Sequence, residues 1–146
     1  MDITPVRDTT LLSAAEIAQY RRDGYVVARN LLGPRNIAAC IDALTGLARG
    51  DIVGRQTSLM FETGYDGATM SGEERELRIR KYMDFCEDAP ALMAAASSAR
   101  LHAVMDQLLG NGRILFQEMA LVKPPRIGSE KPWHQVASPF RMRGRW

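Results

Sequence analysis

The sequence predicts an α+β fold in which helices come first and most strands follow. Helical spacing of apolar residues fills much of the first 50 positions, whereas the alternating pattern of strands is concentrated after residue 77. The sequence has no glycine-rich phosphate-binding loop. This order favours an α+β arrangement over a repeated βαβ sheet.

Length and composition fit one domain covering residues 1–146. The chain is 46% hydrophobic and 25% charged, which is ordinary for a globular protein. The net charge is +2 and the basic residues are dispersed among acids, so we expect no nucleic-acid partner. Cys40 and Cys86 lack metal-ligand spacing, the N-terminus lacks a signal-peptide pattern, and no stretch approaches 18 apolar residues. We therefore predict a cytoplasmic protein that does not bind membranes.

Capping signals place the first two helices. Ser13 and Glu16 have the spacing of a capping box, and Gly24 suits the left-handed position that ends many helices. The β-branched and aromatic run at residues 25–29 predicts a short strand. A second helix is predicted over residues 34–48, with proline in its first turn. Its apolar stripe consists of Ile37, Ile41, Leu44 and Leu47.

A long loop precedes the first clear strand pattern. Residues 50–72 have scattered glycines and no sustained period, with a short strand near residues 58–62. Residues 77–82 alternate, which predicts a strand with Leu77, Ile79 and Lys81 on one face.

Two helices and a long strand are predicted next. The helices cover about residues 90–97 and 100–109, and the strand covers residues 113–123. Pro124 and Pro125 end its pairing. One face of this strand consists of Leu115, Gln117, Met119, Leu121 and Lys123.

Three segments, in this order along the chain, resemble the phytanoyl-CoA dioxygenase family. They are residues 18–27, the helix end at 108–110, and residues 123–135, which end in Trp-His-Gln. The resemblance covers roughly residues 11–135. It implies N-terminal helices packed on a double-stranded β-helix, or jelly roll, of which this chain holds only part. It also implies hydroxylation of a small organic substrate with Fe(II) and 2-oxoglutarate as cofactors.

The resemblance implies that His134 is the first iron ligand of a His-x-Asp pair. In this sequence the aspartate position is Val136, whose side chain has no lone pair for a metal. Twelve residues follow His134, so the family's second histidine and its arginine clamp cannot be placed, and no catalytic residue is assigned. We therefore expect an inactive or very weak enzyme. The segment 136–146 no longer resembles the family, which suggests a truncation or frameshift after Gln135.

Two further positions match family residues at the cofactor pocket, and a third lies on the same strand face as one of them. Lys81 and Met119 match positions that contact 2-oxoglutarate, and Gln117 lies on the same strand face, where it could reach the substrate. Each position also has a plain structural interpretation. Lys81 could extend to solvent from a strand end, Met119 could fill a core, and Gln117 needs a polar partner if buried.

Two alternatives remain open at this stage. The first is a non-catalytic binding or interaction module that retains the helical front and part of the sheet, with unpaired strand edges that favour self-association. The second is a halogenase-like site in which chloride replaces the missing carboxylate, although the branched side chain of Val136 would intrude on that space.

Overall fold

The computed structural model describes residues 11–112 and 114–132. Helices α1 (Ala14–Asp23) and α2 (Pro34–Arg49) come first, followed by β1 (Ser58–Phe61), α3 (Gly72–Glu76) and β2 (Ile79–Met83). The described elements end with α4 (Pro90–Ala96), α5 (Ala99–Leu109) and β3 (Met119–Leu121). The three strands form an antiparallel sheet in the order β1-β2-β3. This mixture of helices and a small antiparallel sheet confirms the α+β class.

Both predicted N-terminal helices are confirmed, together with the signals that bound them. Ser13 and Glu16 form a reciprocal capping box at the start of α1, and Gly24 closes the helix at φ 80°. Pro34 begins α2, and Gly50 ends it with φ 88°. A second capping box, from Ser71 and Glu74, begins the short helix α3. The same S-x-x-E signal was present in the sequence within the segment predicted as loop.

Two strand predictions are wrong in extent. Residues 25–29 form no strand and have no ladder partner among the described residues, and Tyr25 and Val27 are 60% and 57% exposed. The long strand predicted at 113–123 is reduced to Met119–Leu121 among its described residues. Ile114 and Phe116 instead lie 81% and 67% exposed. The paired residues of β3 are Met119, Ala120 and Leu121, which lie opposite Met83, Tyr82 and Lys81.

The core lies between one face of the sheet and the helices α2 and α4. Leu47 of α2 and Ile79 of β2 are 2% and 1% exposed, and Tyr82 reaches the same cluster. Burial raises the pKa of Tyr82 to about 12. No helix among the described residues is long and apolar enough to cross a membrane. One face of the sheet thus packs against these helices.

Asp88 fixes the loop that leads into β1. Its carboxylate accepts hydrogen bonds from the main-chain N–H of Gln56 at 2.9 Å and from the N–H and hydroxyl of Thr57, both at 2.7 Å. These donors, led by the Thr57 hydroxyl, hold the pKa of Asp88 far below its usual range. One carboxylate therefore orders a loop more than thirty residues away in sequence.

The Asp88→Asn variant should be less stable at neutral pH because it loses these charge-assisted hydrogen bonds. A lowered folded-state pKa stabilises the fold above the unfolded pKa, and this contribution is lost as the pH falls through the folded value. The gap in unfolding midpoint between wild type and variant should therefore be full at pH 7 and shrink below the ordinary aspartate pKa of 3.8. Urea unfolding across this pH range measures it, and a gap independent of pH would contradict the assignment.

Candidate functional site

The second face of the sheet is left open by the described part of the chain. Cross-strand partners share a face, and the register pairs Met60 with Lys81 and Lys81 with Leu121. Met83 pairs with Met119 one step along on the same side. Met60, Met119 and Leu121 are 44%, 42% and 58% exposed. We call these five residues, Met60, Lys81, Met83, Met119 and Leu121, the open sheet face.

A bulge in β2 determines which side chains reach this face. Met60 pairs with Lys81, but the next residue, Phe61, pairs with Ile79, so Arg80 is the extra residue. Ile79 and Tyr82 consequently both point into the core although they are three positions apart. The prediction that Leu77, Ile79 and Lys81 share one face is therefore wrong, because strict alternation does not allow for the bulge. Leu77 itself follows α3 and is 54% exposed. Arg80 and Lys81 are the residues that lie between the two core positions.

Lys81 and Met119, both predicted to contact the cofactor, are brought together by the sheet. Lys81 pairs with Leu121, so Met119 is its diagonal neighbour, a relation that places side chains roughly 7–8 Å apart. Lys81 is half-buried. Gln117, the predicted substrate contact, precedes β3 by two residues and is also half-buried. Sheet pairing therefore positions Lys81 and Met119, while Gln117 lies outside the ladder.

Charged residues gather at one end of the open sheet face. Lys123 follows β3 on the parity of Leu121, and Arg80 and Lys123 both act electrostatically on Glu62, which follows β1. Glu62 is 4% exposed and is the one buried charged residue among those the structure describes. Hydrogen bonds from the hydroxyl and main-chain N–H of Ser129 lower its pKa, and the two cations add to this effect. Counting Lys81, this end carries three cations and one carboxylate.

The metal-ligand prediction falls outside the described residues. His134 and Val136 both lie beyond residue 132, so the structure leaves the predicted iron ligand untested. Within residues 11–112 and 114–132, no group of three His, Cys, Asp or Glu side chains is arranged to hold a metal ion. His102, the other histidine of the chain, is exposed on α5.

A separate cleft lies on the core side of β1. It has a volume of about 810 Å³ and is lined by residues that include Ile52, Phe61, Gly67 and Arg75. Arg75 donates to the carbonyl oxygens of Ala48 and Gly67 at 2.7 and 3.3 Å, and its guanidinium lies 5.6 Å from the Phe61 ring centre. A side chain at Gly67 would meet that ring at 2.3 Å. These contacts give Arg75 and Gly67 a structural role, which is to hold the loop around Gly67 against β1.

Comparison of the sequence with known proteins shows the family of this chain. The sequence model described as "Phytanoyl-CoA dioxygenase (PhyH)" matches residues 20–141, and the chain belongs to this family. The predicted resemblance is therefore confirmed, and the match includes the first six residues of segment 136–146.

The relatives of assigned function that match this chain include ectoine dioxygenases from two bacteria. The chain is 25% identical over 123 residues to the ectoine dioxygenase of Bordetella bronchiseptica, and 27% identical over 123 residues to that of Sphingopyxis alaskensis. Each alignment covers 84% of this chain but 36% and 37% of the relative, so the chain spans about a third of their length. No solved structure matches the chain at a significant level.

Proposed function

We propose that the open sheet face is the 2-oxoglutarate face of an Fe(II)-dependent dioxygenase that hydroxylates a small organic substrate. The observation that carries the proposal is the joint placement of Lys81 and Met119 on one uncovered face. Lys81 would bind a carboxylate of 2-oxoglutarate and Met119 would pack against its carbon chain. Gln117 would contact the substrate, and His134 would provide the first iron ligand. Ectoine, on which the relatives are named as acting, is the first substrate to test.

The charge and polarity of this face suit a small dicarboxylate. Lys81 is a compact cation flanked by apolar partners across both neighbouring strands, Met60 and Leu121. Apolar surroundings lower the local dielectric and strengthen attraction between an ammonium group and a carboxylate. Arg80 and Lys123 add positive charge at the same end, while Glu62 is already engaged by Ser129. The face therefore combines a carboxylate anchor with an apolar floor.

We further propose that a polypeptide of these 146 residues does not catalyse the family reaction at an enzyme-like rate. Specific iron binding needs a complete and oriented ligand set. The sequence contains two histidines, one of them exposed on α5, and Val136 occupies the position of the family aspartate. Iron bound in a complete site would supply the oxygen chemistry. The chain's own residues would bind and orient the cosubstrate.

The free cysteines Cys40 and Cys86 agree with a reducing compartment such as the cytoplasm.

Succinate formation tests this second proposal. The purified chain, supplied with Fe(II), ascorbate, 2-oxoglutarate and ectoine, should produce succinate no faster than the same mixture without protein. A Val136→Asp variant is the matched comparison, because it restores the carboxylate of the His-x-Asp pair. Succinate production by the unaltered chain at turnover rates of about 1 per second, within the ordinary enzyme range, would contradict the proposal.

A second function is favoured by the exposure of the same face. Met60, Met119 and Leu121 form an apolar surface, and the outer edges of β1 and β3 are unpaired among the described residues. Such edges and surfaces favour association between chains, as expected for a non-catalytic interaction module. Sedimentation of wild type and of a Leu121→Lys variant separates the two functions. A monomer in both cases favours the cosubstrate face, whereas oligomers that the substitution dissociates favour the module.

A further inference from the structure

Glu62 stands apart from the other charged residues because it is buried without belonging to the core. It is 4% exposed, and its partner is Ser129, 67 residues further along the chain. The main-chain N–H of Ser129 donates to Glu62 Oε1 at 3.1 Å, and the Ser129 side chain helps to lower the pKa of the same carboxylate. Glu62 also donates its own main-chain N–H to the carbonyl oxygen of Arg78 at 3.0 Å. The carboxylate therefore links the end of β1 to the segment that follows β3.

The turn after β3 is tightly built on this link. Pro124 is buried, and its carbonyl oxygen accepts from the N–H of Gly128 at 3.0 Å. A side chain at Gly128 would meet that oxygen at 2.9 Å, so only glycine allows this approach. Arg126 has a φ of 69°, in the left-handed region that a non-glycine residue adopts only at an energetic cost. A turn with such demands needs contacts from outside itself, and Glu62 provides them.

The position of this turn in the sequence gives the contact its importance. His134 comes five residues after Ser129, a length of chain that reaches at most roughly 18 Å. We propose that Glu62 is a positioning residue that holds the turn after β3 against the charged end of the open sheet face and so fixes where the chain departs towards His134. This inference rests on the proposed function in one respect, namely that His134 is an iron ligand.

A carboxylate suits this role better than a neutral acceptor. Its charge strengthens the hydrogen bond from the main-chain N–H of Ser129, because charge-assisted hydrogen bonds are roughly twice as strong as neutral ones. Arg80 and Lys123 lie near enough to stabilise the negative charge. Arg80 belongs to β2 and Lys123 follows β3, so the same carboxylate also reduces the repulsion between these two cations.

Amide hydrogen exchange of a Glu62→Leu variant tests the inference. The exchange rate of the Ser129 N–H should rise at least about tenfold, the effect of losing roughly 1.4 kcal/mol of protection. The N–H of Tyr82, in the middle of the sheet, should keep its rate. The His134 ring signal, readily assigned because the chain has two histidines, should shift while that of His102 does not.

Two further variants keep the test decisive. Glu62→Gln retains an acceptor of the same shape without the charge, so the Ser129 exchange rate should fall between wild type and Glu62→Leu. Glu118→Gln is the matched control, because Glu118 also accepts from a main-chain N–H, that of Cys86 at 2.9 Å, elsewhere on the sheet. It should leave Ser129 exchange unchanged.

Either of two results would contradict the positioning role of Glu62. An unchanged Ser129 rate in both Glu62 variants, or an equal acceleration of Tyr82 that indicates a purely structural role, would overturn the inference. Binding of 2-oxoglutarate to the wild-type chain is measured in parallel. If Ser129 responds as expected and 2-oxoglutarate does not bind, the proposed function fails while Glu62 still fixes the turn. If 2-oxoglutarate binds and Ser129 does not respond, the positioning role fails alone.

Discussion

Replacement of Lys81 by methionine should raise the dissociation constant for 2-oxoglutarate at least about tenfold. Methionine retains an unbranched side chain of similar length and removes the charge, so packing beside Met60 and Leu121 is preserved. A hydrogen bond to a charged group contributes roughly 1.5–3 kcal/mol, and each 1.4 kcal/mol is a factor of ten in affinity. Isothermal titration calorimetry of the full chain with 2-oxoglutarate measures the change.

The matched control is Lys131→Met. The sequence has three lysines, and Lys131 is exposed in the loop after Ser129, away from the paired residues of the sheet. Its replacement changes the net charge equally but should alter the dissociation constant less than twofold. Equal weakening by both substitutions would indicate a general effect of charge and would remove Lys81 from the cosubstrate face.

Leu47→Ala should lower the free energy of unfolding by roughly 2–5 kcal/mol, the range observed for large-to-small changes in cores. Leu47 is 2% exposed and packs in the cluster that joins α2 to β2 and α4. Its loss removes buried apolar surface and leaves a cavity between helix and sheet. Urea unfolding monitored by circular dichroism gives the free energy.

Ile41→Ala on the same helix serves as the control for Leu47→Ala. Ile41 is 58% exposed, so its truncation should change the free energy of unfolding by no more than roughly 0.5 kcal/mol. Comparable losses from the two variants would mean that the face of α2 carrying Ile41 is covered in solution. The packing of α2 against the sheet would then need revision.

The helices were predictable because their signals are local. The capping box at Ser13 and the glycine at position 24 act within a few residues of the helix ends they define. The capping box at Ser71 is equally local, but the short helix α3 that it begins was not predicted. Strand extent could not be obtained in this way, because a strand exists only where a distant segment donates and accepts its hydrogen bonds. Residues 25–29 have strand composition but no ladder partner in the described part of the chain.

The candidate site was predictable only in part. Lys81 and Met119 were assigned through family resemblance, and the pairing of β2 with β3 places them on one face. The bulge at Arg80, which sends both Ile79 and Tyr82 into the core, leaves no trace in an alternating pattern. Glu62 accepts a hydrogen bond from Ser129, and Asp88 accepts one from Thr57. Contacts between residues so far apart along the chain cannot be inferred from the sequence.

Methyl resonances of the methionines test the central claim most directly. With the methionine methyl groups labelled with carbon-13, 2-oxoglutarate is added to the full chain in the absence of iron, with acetate as the control anion. We expect saturable shifts of Met60, Met83 and Met119 on the open sheet face, and none for Met93 and Met105 on the helices α4 and α5. Shifts confined to Met93 and Met105, or no saturable shift at all, would contradict it.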